Sequence, residues 1–272
     1  MTENNEARER WALILGSSSG FGGTTAIELA QHGYHIFGVH FDRRTTLPIA
    51  METKARIEAA GVEAVFYNVN AADAEKRAAT VQAMADHLAG RSGRPFIQVV
   101  LHSLAFGTLK PMIAEAAADE LTQAQIEMTL DVMANSLVYW TQALCRAGLL
   151  DRGSRIFAMT SSGGTRVIKN YGAVSAAKAA LEAHIRQLAV ELAPCGITAN
   201  AVRAGVTDTA ALRKIPGSDR LLENAATFNP HGRTTTPEDV AKAIAELARP
   251  GTYWITGNTI GVDGGEDVVA AS

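Results

Sequence analysis

Cysteine is scarce in this chain: Cys145 and Cys195 are the only two in 272 residues. They have no CxxC spacing and no neighbouring histidine, so neither a zinc cluster nor a disulfide framework is expected. They read as buried thiols in a reducing cytosol. Long hydrophobic runs are missing too. No stretch reaches the 18 apolar residues of a spanning helix. The opening MTENNEARER is polar and mixed in charge, which is not the pattern of a signal peptide. A surplus of one charge is also lacking: 25 Lys and Arg stand against 28 Asp and Glu, with no basic block. Nucleic acid and membrane are therefore not expected as partners, and the chain reads as cytoplasmic.

What is present is apolar content, at 47%. Short apolar runs alternate with longer segments of helical period. The strand candidates are 11–15, 36–39, 64–69, 97–101, 155–159, 198–202 and 259–262. Several are continuously apolar, as strands covered on both faces must be. Helix candidates lie at 24–32, 50–60, 73–89, 121–149, 175–192 and 237–248. Thr236, Pro237, Glu238 and Asp239 open the last one, with a capping hydroxyl, a proline in the first turn and acids at the positive dipole end. This alternation predicts an α/β fold: a single Rossmann-like doubly wound parallel sheet with helices on both faces. Residues 1–9 read as a frayed tail and 10–272 as one domain. The segment 205–232 is rich in Gly, Pro and Asn and reads as an irregular, mobile cover over a site.

Gly16, Ser17, Ser18, Ser19, Gly20, Phe21 and Gly22 follow the first strand and open the first helix. Glycines let backbone approach a pyrophosphate, and the helix start offers N–H donors and a positive dipole end. The loop therefore predicts dinucleotide binding. Past the second strand the chain reads His40-Phe41-Asp42-Arg43-Arg44. Arg43 and Arg44 suit the 2′-phosphate of NADPH, while Asp42 points the other way, leaving NADH possible.

Ser161 ends the fifth strand, and Tyr171 and Lys178 follow. In common short-chain dehydrogenases the catalytic pair is Tyr-x3-Lys. Here Val174, which has no proton to give, stands four residues before Lys178. Tyr171 lies six intervening residues away. That Tyr-x6-Lys spacing resembles the enoyl-acyl-carrier-protein reductase branch of the short-chain dehydrogenase/reductase superfamily. So do His102-Ser103-Leu104-Ala105-Phe106, residues 170–205 almost throughout, and Asp131 in the long helix. Many such reductases carry a second tyrosine at the position of Ser161; an NADPH-using variant resembles this chain in having serine there.

The resemblance implies reduction of a trans-2-enoyl thioester in fatty acid synthesis, with the acyl group carried by acyl carrier protein. Tyr171 would donate to the developing enolate oxygen, Lys178 would hold the nicotinamide ribose, and Ser161 would complete the set. Further cofactor contacts would come from Asn68 and Val69, from Ser103, Leu104 and Ala105, and from Gly205, Val206, Thr207 and Thr209. The Val206 backbone would meet the carboxamide and Thr209 the pyrophosphate. Arg203, Arg213, Lys214, Arg220 and Arg233 could face an acidic carrier protein, and a homotetramer is implied. No metal is expected. Two alternatives stay open. Ser161 also fits a carbonyl-reducing enzyme such as a 3-oxoacyl reductase. A silent dinucleotide sensor would be a third possibility, though it would need no Tyr/Lys pair.

Overall fold

The computed structural model describes residues 9–269. Seven strands form one parallel sheet in the order β3-β2-β1-β4-β5-β6-β7. They are β1 (Arg10–Leu15), β2 (Tyr34–His40), β3 (Ala64–Asn68), β4 (Phe96–His102), β5 (Arg155–Ser161), β6 (Thr198–Ala204) and β7 (Thr259–Val262). The helices are α1 (Gly20–Gln31), α2 (Leu47–Glu58), α3 (Ala74–Ala89), α4 (Gln123–Leu130), α5 (Ser136–Arg146), α6 (Gly172–Leu192), α7 (Ser218–Phe228) and α8 (Pro237–Leu247). The expected α/β doubly wound sheet is what forms.

The continuous apolar strands serve two cores. On β1, Trp11, Leu13 and Leu15 face one side, packing with Leu137, Trp140, Ile156 and Leu181. Ala12 and Ile14 face the other, with Leu29, Ile57, Phe157, Val240 and Ile244. A strand with period-two geometry must be apolar at every position when both faces are covered.

Four expectations need correction. The helix expected over 121–149 is two helices joined by a π-helical turn, Asp131–Asn135. At the start of α5 the Ser136 hydroxyl donates back into that turn, to the Val132 carbonyl, at 2.8 Å. An inserted turn of this kind leaves the apolar periodicity nearly intact, so it does not show in the sequence pattern. The segment 205–232 is not wholly irregular either: it contains α7. Cys145 and Cys195 are exposed rather than buried, because they sit at the outer ends of α5 and of the turn after α6. Of the expected tail, residues 1–8 lie outside the described residues. Glu9 is anchored, pairing with Arg91 at 2.9 Å.

Leu137, Trp140 and Leu144 of the long helix are fully buried within one chain. The exposed aromatic pair lies elsewhere: Tyr253 and Trp254 pack edge to face ahead of β7, with Trp254 85% exposed. Among the described residues no helix is long and apolar enough to cross a membrane.

Trp140 ties α5 to the loop after β3 through its indole N–H, which donates to the Ala71 carbonyl at 2.9 Å. Both groups are buried. Trp140→Phe leaves that carbonyl without its partner and should cost about 1–3 kcal/mol. A lower urea midpoint at unchanged slope is the expected outcome.

Candidate active site

The site lies at the C-terminal edge of the sheet. From β1 the chain winds outward to β2 and β3, then crosses back to β4 on the other side of β1. This reversal opens a crevice above β1 and β4, where open α/β sheets bind ligands. Leu15 stands level with Val39 and His102. His102 is level with Ala158, so β5 runs three residues further and carries Ser161 past the sheet edge.

The glycine loop fills the crevice floor. The Gly16 and Ser17 amides both donate to the Val39 carbonyl, at 2.8 and 3.1 Å, and Ser103 N–H donates to Leu15 at 2.8 Å. Gly16 has φ +94°, and a Cβ there would meet the Ser103 carbonyl oxygen at 2.5 Å. A Cβ on Gly22 would meet the Gly16 oxygen at 2.1 Å. Any side chain at either position would push the loop away. Helix α1 starts inside the loop, at Gly20. Its Ser19 cap makes no side-chain hydrogen bond, and its first turn has no acid. That leaves an uncapped positive helix end open to an anionic group. Thr209 reaches across to it, with its methyl 4.0 Å from the Cβ position of Gly20. The buried Ser17 hydroxyl has no partner. Leu104 packs beside Gly16, with its Cδ2 3.6 Å from that Cβ position, while Ala105 is exposed. The cradle fits a dinucleotide pyrophosphate.

At the outer end, Arg43 and Arg44 are exposed beyond β2. Asp42 does not face out with them. Its carboxylate bonds the buried His40 at 2.9 Å. Its backbone exchanges two 3.0 Å hydrogen bonds with the Asn68 side chain. Val69 N–H donates to the His40 carbonyl at 2.8 Å, tying the tips of β2 and β3 together. The His40–Asp42 pairing was not read from the sequence. An i, i+2 His/Asp pair leaving a strand was its only signal.

At the inner end, the structure brings Ser161 and Tyr171 together and ties Lys178 to Met159, two residues before Ser161 on β5. Tyr171 occupies the N-cap position of α6, because the helix begins at Gly172, three residues earlier than the sequence pattern suggests. Its ring packs on Gly163, where a Cβ would meet it at 2.6 Å. Burial raises the phenol's pKa, partly countered by a hydrogen bond with Ser161. The phenol therefore keeps its proton at neutral pH. Two turns on, Lys178 is buried, and its Nζ donates to the Met159 carbonyl at 2.7 Å. Burial pushes its ammonium down to about 8, with Glu182 opposing. His102 sits alongside. Burial first, and the Lys178 charge second, hold it at about 3, so it is neutral. Its Nε2 bonds Ser136 at 2.8 Å, and its Nδ1 is buried without a partner. Val174 is buried and points towards Gly107, Thr129 and Met133. That fills the common tyrosine position with core packing.

After β6, Thr207 is buried and its hydroxyl donates to the Gly205 carbonyl at 2.9 Å. The Val206 N–H is already given to Glu266, at 3.0 Å. Glu266 was another residue missed in the sequence. Three of the five expected carrier-facing cations have acidic partners: Arg203 with Asp267, Arg213 with Asp208 and Asp219, and Arg233 with Asp239. Among the described residues no group of three or more His, Cys, Asp or Glu could hold a metal ion.

A family model described as enoyl-(acyl carrier protein) reductase matches residues 16–266. The chain belongs to that branch of the short-chain dehydrogenases/reductases. It is 30% identical over 265 residues to a 1-cyclohexenylcarbonyl-CoA reductase of Streptomyces collinus, covering 97% of this chain and 89% of the relative. It is 31% identical over 261 residues to the 3-oxoacyl-[acyl-carrier-protein] reductase FabG of Pseudomonas aeruginosa, covering 93% and 96%. In fold it matches an enoyl-[acyl-carrier-protein] reductase (NADH) of Aquifex aeolicus at TM-score 0.81 and 22% identity, covering 97% and 99%. The chain is thus an oxidoreductase of a family that uses NAD(P)H.

The depressed Lys178 ammonium has a stability consequence with a definite sign. Between about pH 8 and its ordinary value of 10.5, the unfolded chain holds that proton and the folded chain does not. Stability from this group therefore rises with pH across the window. The cofactor-free protein should gain melting temperature relative to Lys178→Met on going from pH 8 to 10. A constant difference between the two would contradict the burial argument.

Proposed function

We propose that this chain reduces the conjugated double bond of a trans-2-enoyl thioester, with NADPH as the preferred cofactor. The observation that carries the reading is the buried Tyr171 phenol held beside Ser161, with Val174 packed away where the common catalytic tyrosine would be. Bound NADPH would supply a hydride to the β-carbon. Negative charge would then develop on the thioester oxygen, and a fixed hydroxyl aimed at it lowers the barrier. Tyr171 is protonated, buried and positioned for that task. The Lys178 ammonium, below about pH 8, would orient the nicotinamide ribose and favour proton release from the phenol.

Arg43 and Arg44 support NADPH by their exposure. The inward tie of Asp42 to His40 supports it further, because it turns the one nearby carboxylate away from them. For the carrier, Lys214 and Arg220 remain as exposed cations over the cover segment. We place acyl carrier protein there, with a CoA thioester as the other carrier to test. A cytoplasmic homotetramer is part of the same reading. The rival is 3-oxoacyl reduction, favoured by Ser161 and by the FabG relative. A silent sensor would retain no reason for the buried Tyr171–Ser161 pair.

Two measurements decide between these. NADPH oxidation should proceed with a crotonyl thioester and fail with an acetoacetyl thioester; the reverse pattern gives the function to the carbonyl reductase. Tyr171→Phe should then lower kcat with the crotonyl substrate by about 10²–10³, as for a lost oxyanion donor. Replacing both Arg43 and Arg44 by Ala should raise KM for NADPH about tenfold or more, since charge-assisted contacts contribute roughly 1.5–3 kcal/mol. KM for NADH should barely move.

A further inference from the structure

Beyond β7 the chain makes a tight turn and ends its described part in an acidic segment that the sequence reading leaves unused. Gly264 and Gly265 both take positive φ, +62° and +84°. Asp263 closes the turn by accepting the Gly265 N–H at 2.9 Å, and Asn229 donates to the Asp263 carbonyl at 2.8 Å. The turn delivers Glu266 and Asp267 between two loops that come from opposite ends of the catalytic region.

Glu266 takes the first loop. Both of its carboxylate oxygens accept from the Val206 N–H, at 3.0 and 3.3 Å. Gly205 makes the approach possible, because a Cβ there would lie 2.3 Å from the Thr235 hydroxyl and 2.8 Å from Glu266 Oε2. Val206 leads directly into Thr207 and Thr209. Asp267 takes the second loop. It pairs with Arg166 at 2.9 Å, and Arg166 also donates to the Asp267 carbonyl at 2.8 Å. Arg166 lies on the run from Ser161 to Tyr171. Asp267 also holds Arg203, at the end of β6, at 3.0 Å.

Two consecutive carboxylates therefore set the spacing between the loop that ends at Tyr171 and the loop that faces the glycine cradle. We propose that Glu266 and Asp267 are positioning residues for the cofactor and the proton donor. Glu266 acts through Val206, and Asp267 acts through Arg166 and Arg203. Neither touches the reacting atoms. The Glu266 bond is accepted by a charged group in a half-buried place, the kind whose loss is felt most. The inference rests on the Gly205–Thr209 loop being a cofactor loop, and is independent of which thioester is reduced.

The test is direct binding of NADPH and NADH, read by nucleotide fluorescence, beside kcat and KM. Glu266→Ala should weaken binding of the cofactor that the wild type prefers by about tenfold, with kcat changed less than threefold. Glu266→Gln keeps an oxygen for the Val206 N–H and should stay within about threefold of wild type. Arg166→Met, at an exposed side chain whose loss the fold tolerates, should lower kcat while leaving cofactor binding unchanged. Wild-type binding in Glu266→Ala would overturn the proposal. So would equal losses in the Ala and Gln variants, or a parallel fall of kcat and affinity in both, since that is the pattern of a general structural defect. Should Glu266→Ala not fold, the Gln variant and Arg166→Met still decide the matter. A wild type that binds neither nucleotide would instead overturn the cofactor reading.

Discussion

The glycine loop can lie against the end of β4 only because Gly16 and Gly22 carry no side chain. The Ser103 carbonyl oxygen stands 2.5 Å from where a Gly16 Cβ would be, and the Gly16 oxygen 2.1 Å from where a Gly22 Cβ would be. This backbone-on-backbone contact fixes where α1 starts, and so where its positive end points. It also holds the chain leaving β4 against the loop, where the Ser103 N–H donates to the Leu15 carbonyl. A methyl group at either glycine would open the crevice from its base, whatever the state of the catalytic side chains.

The second constraint is dryness. Lys178 and His102 are both buried, His102 lies within reach of the Lys178 charge, and each is driven towards its neutral form. Tyr171 is driven the same way, which for a phenol means keeping its proton. The inner end of the crevice is therefore a place where charge is expensive, and the Tyr171 hydroxyl keeps its proton there. That suits a reaction in which negative charge appears on an oxygen only in passing. The outer end is its opposite: exposed, arginine-rich, and with its single nearby acid folded back on a histidine.

The seven strands, their parallel sheet and the glycine loop were legible because each has a strong local signature. Short apolar runs such as Trp11–Leu15, alternating with longer helical segments, fit strands covered on two sides, and glycines between a strand and a helix fit a phosphate-binding turn. The Tyr171–Lys178 spacing was legible through family resemblance, and the structure supplies the burial that gives it chemical sense. What escaped was non-local or subtle. The π-helical turn at Asp131–Asn135 hides in an unbroken apolar pattern. Glu266 meets Val206 across 60 residues. Asp42 read as an argument for NADH because nothing in the sequence shows that His40 takes its carboxylate. Helix α7 was obscured by the Gly, Pro and Asn around it, and its apolar side is short.

The three tryptophans divide sharply by environment. Trp11 and Trp140 are sealed in the core, and Trp254 stands almost fully in solvent ahead of the outermost strand. Their emission will accordingly fall into two populations. A blue-shifted one is shielded from collisional quenchers, and a red-shifted one is open to them. The solvent-facing indole is thus a built-in optical reporter of that surface. If anything settles on it, the quenchable fraction falls while the shielded signal stays as an internal standard.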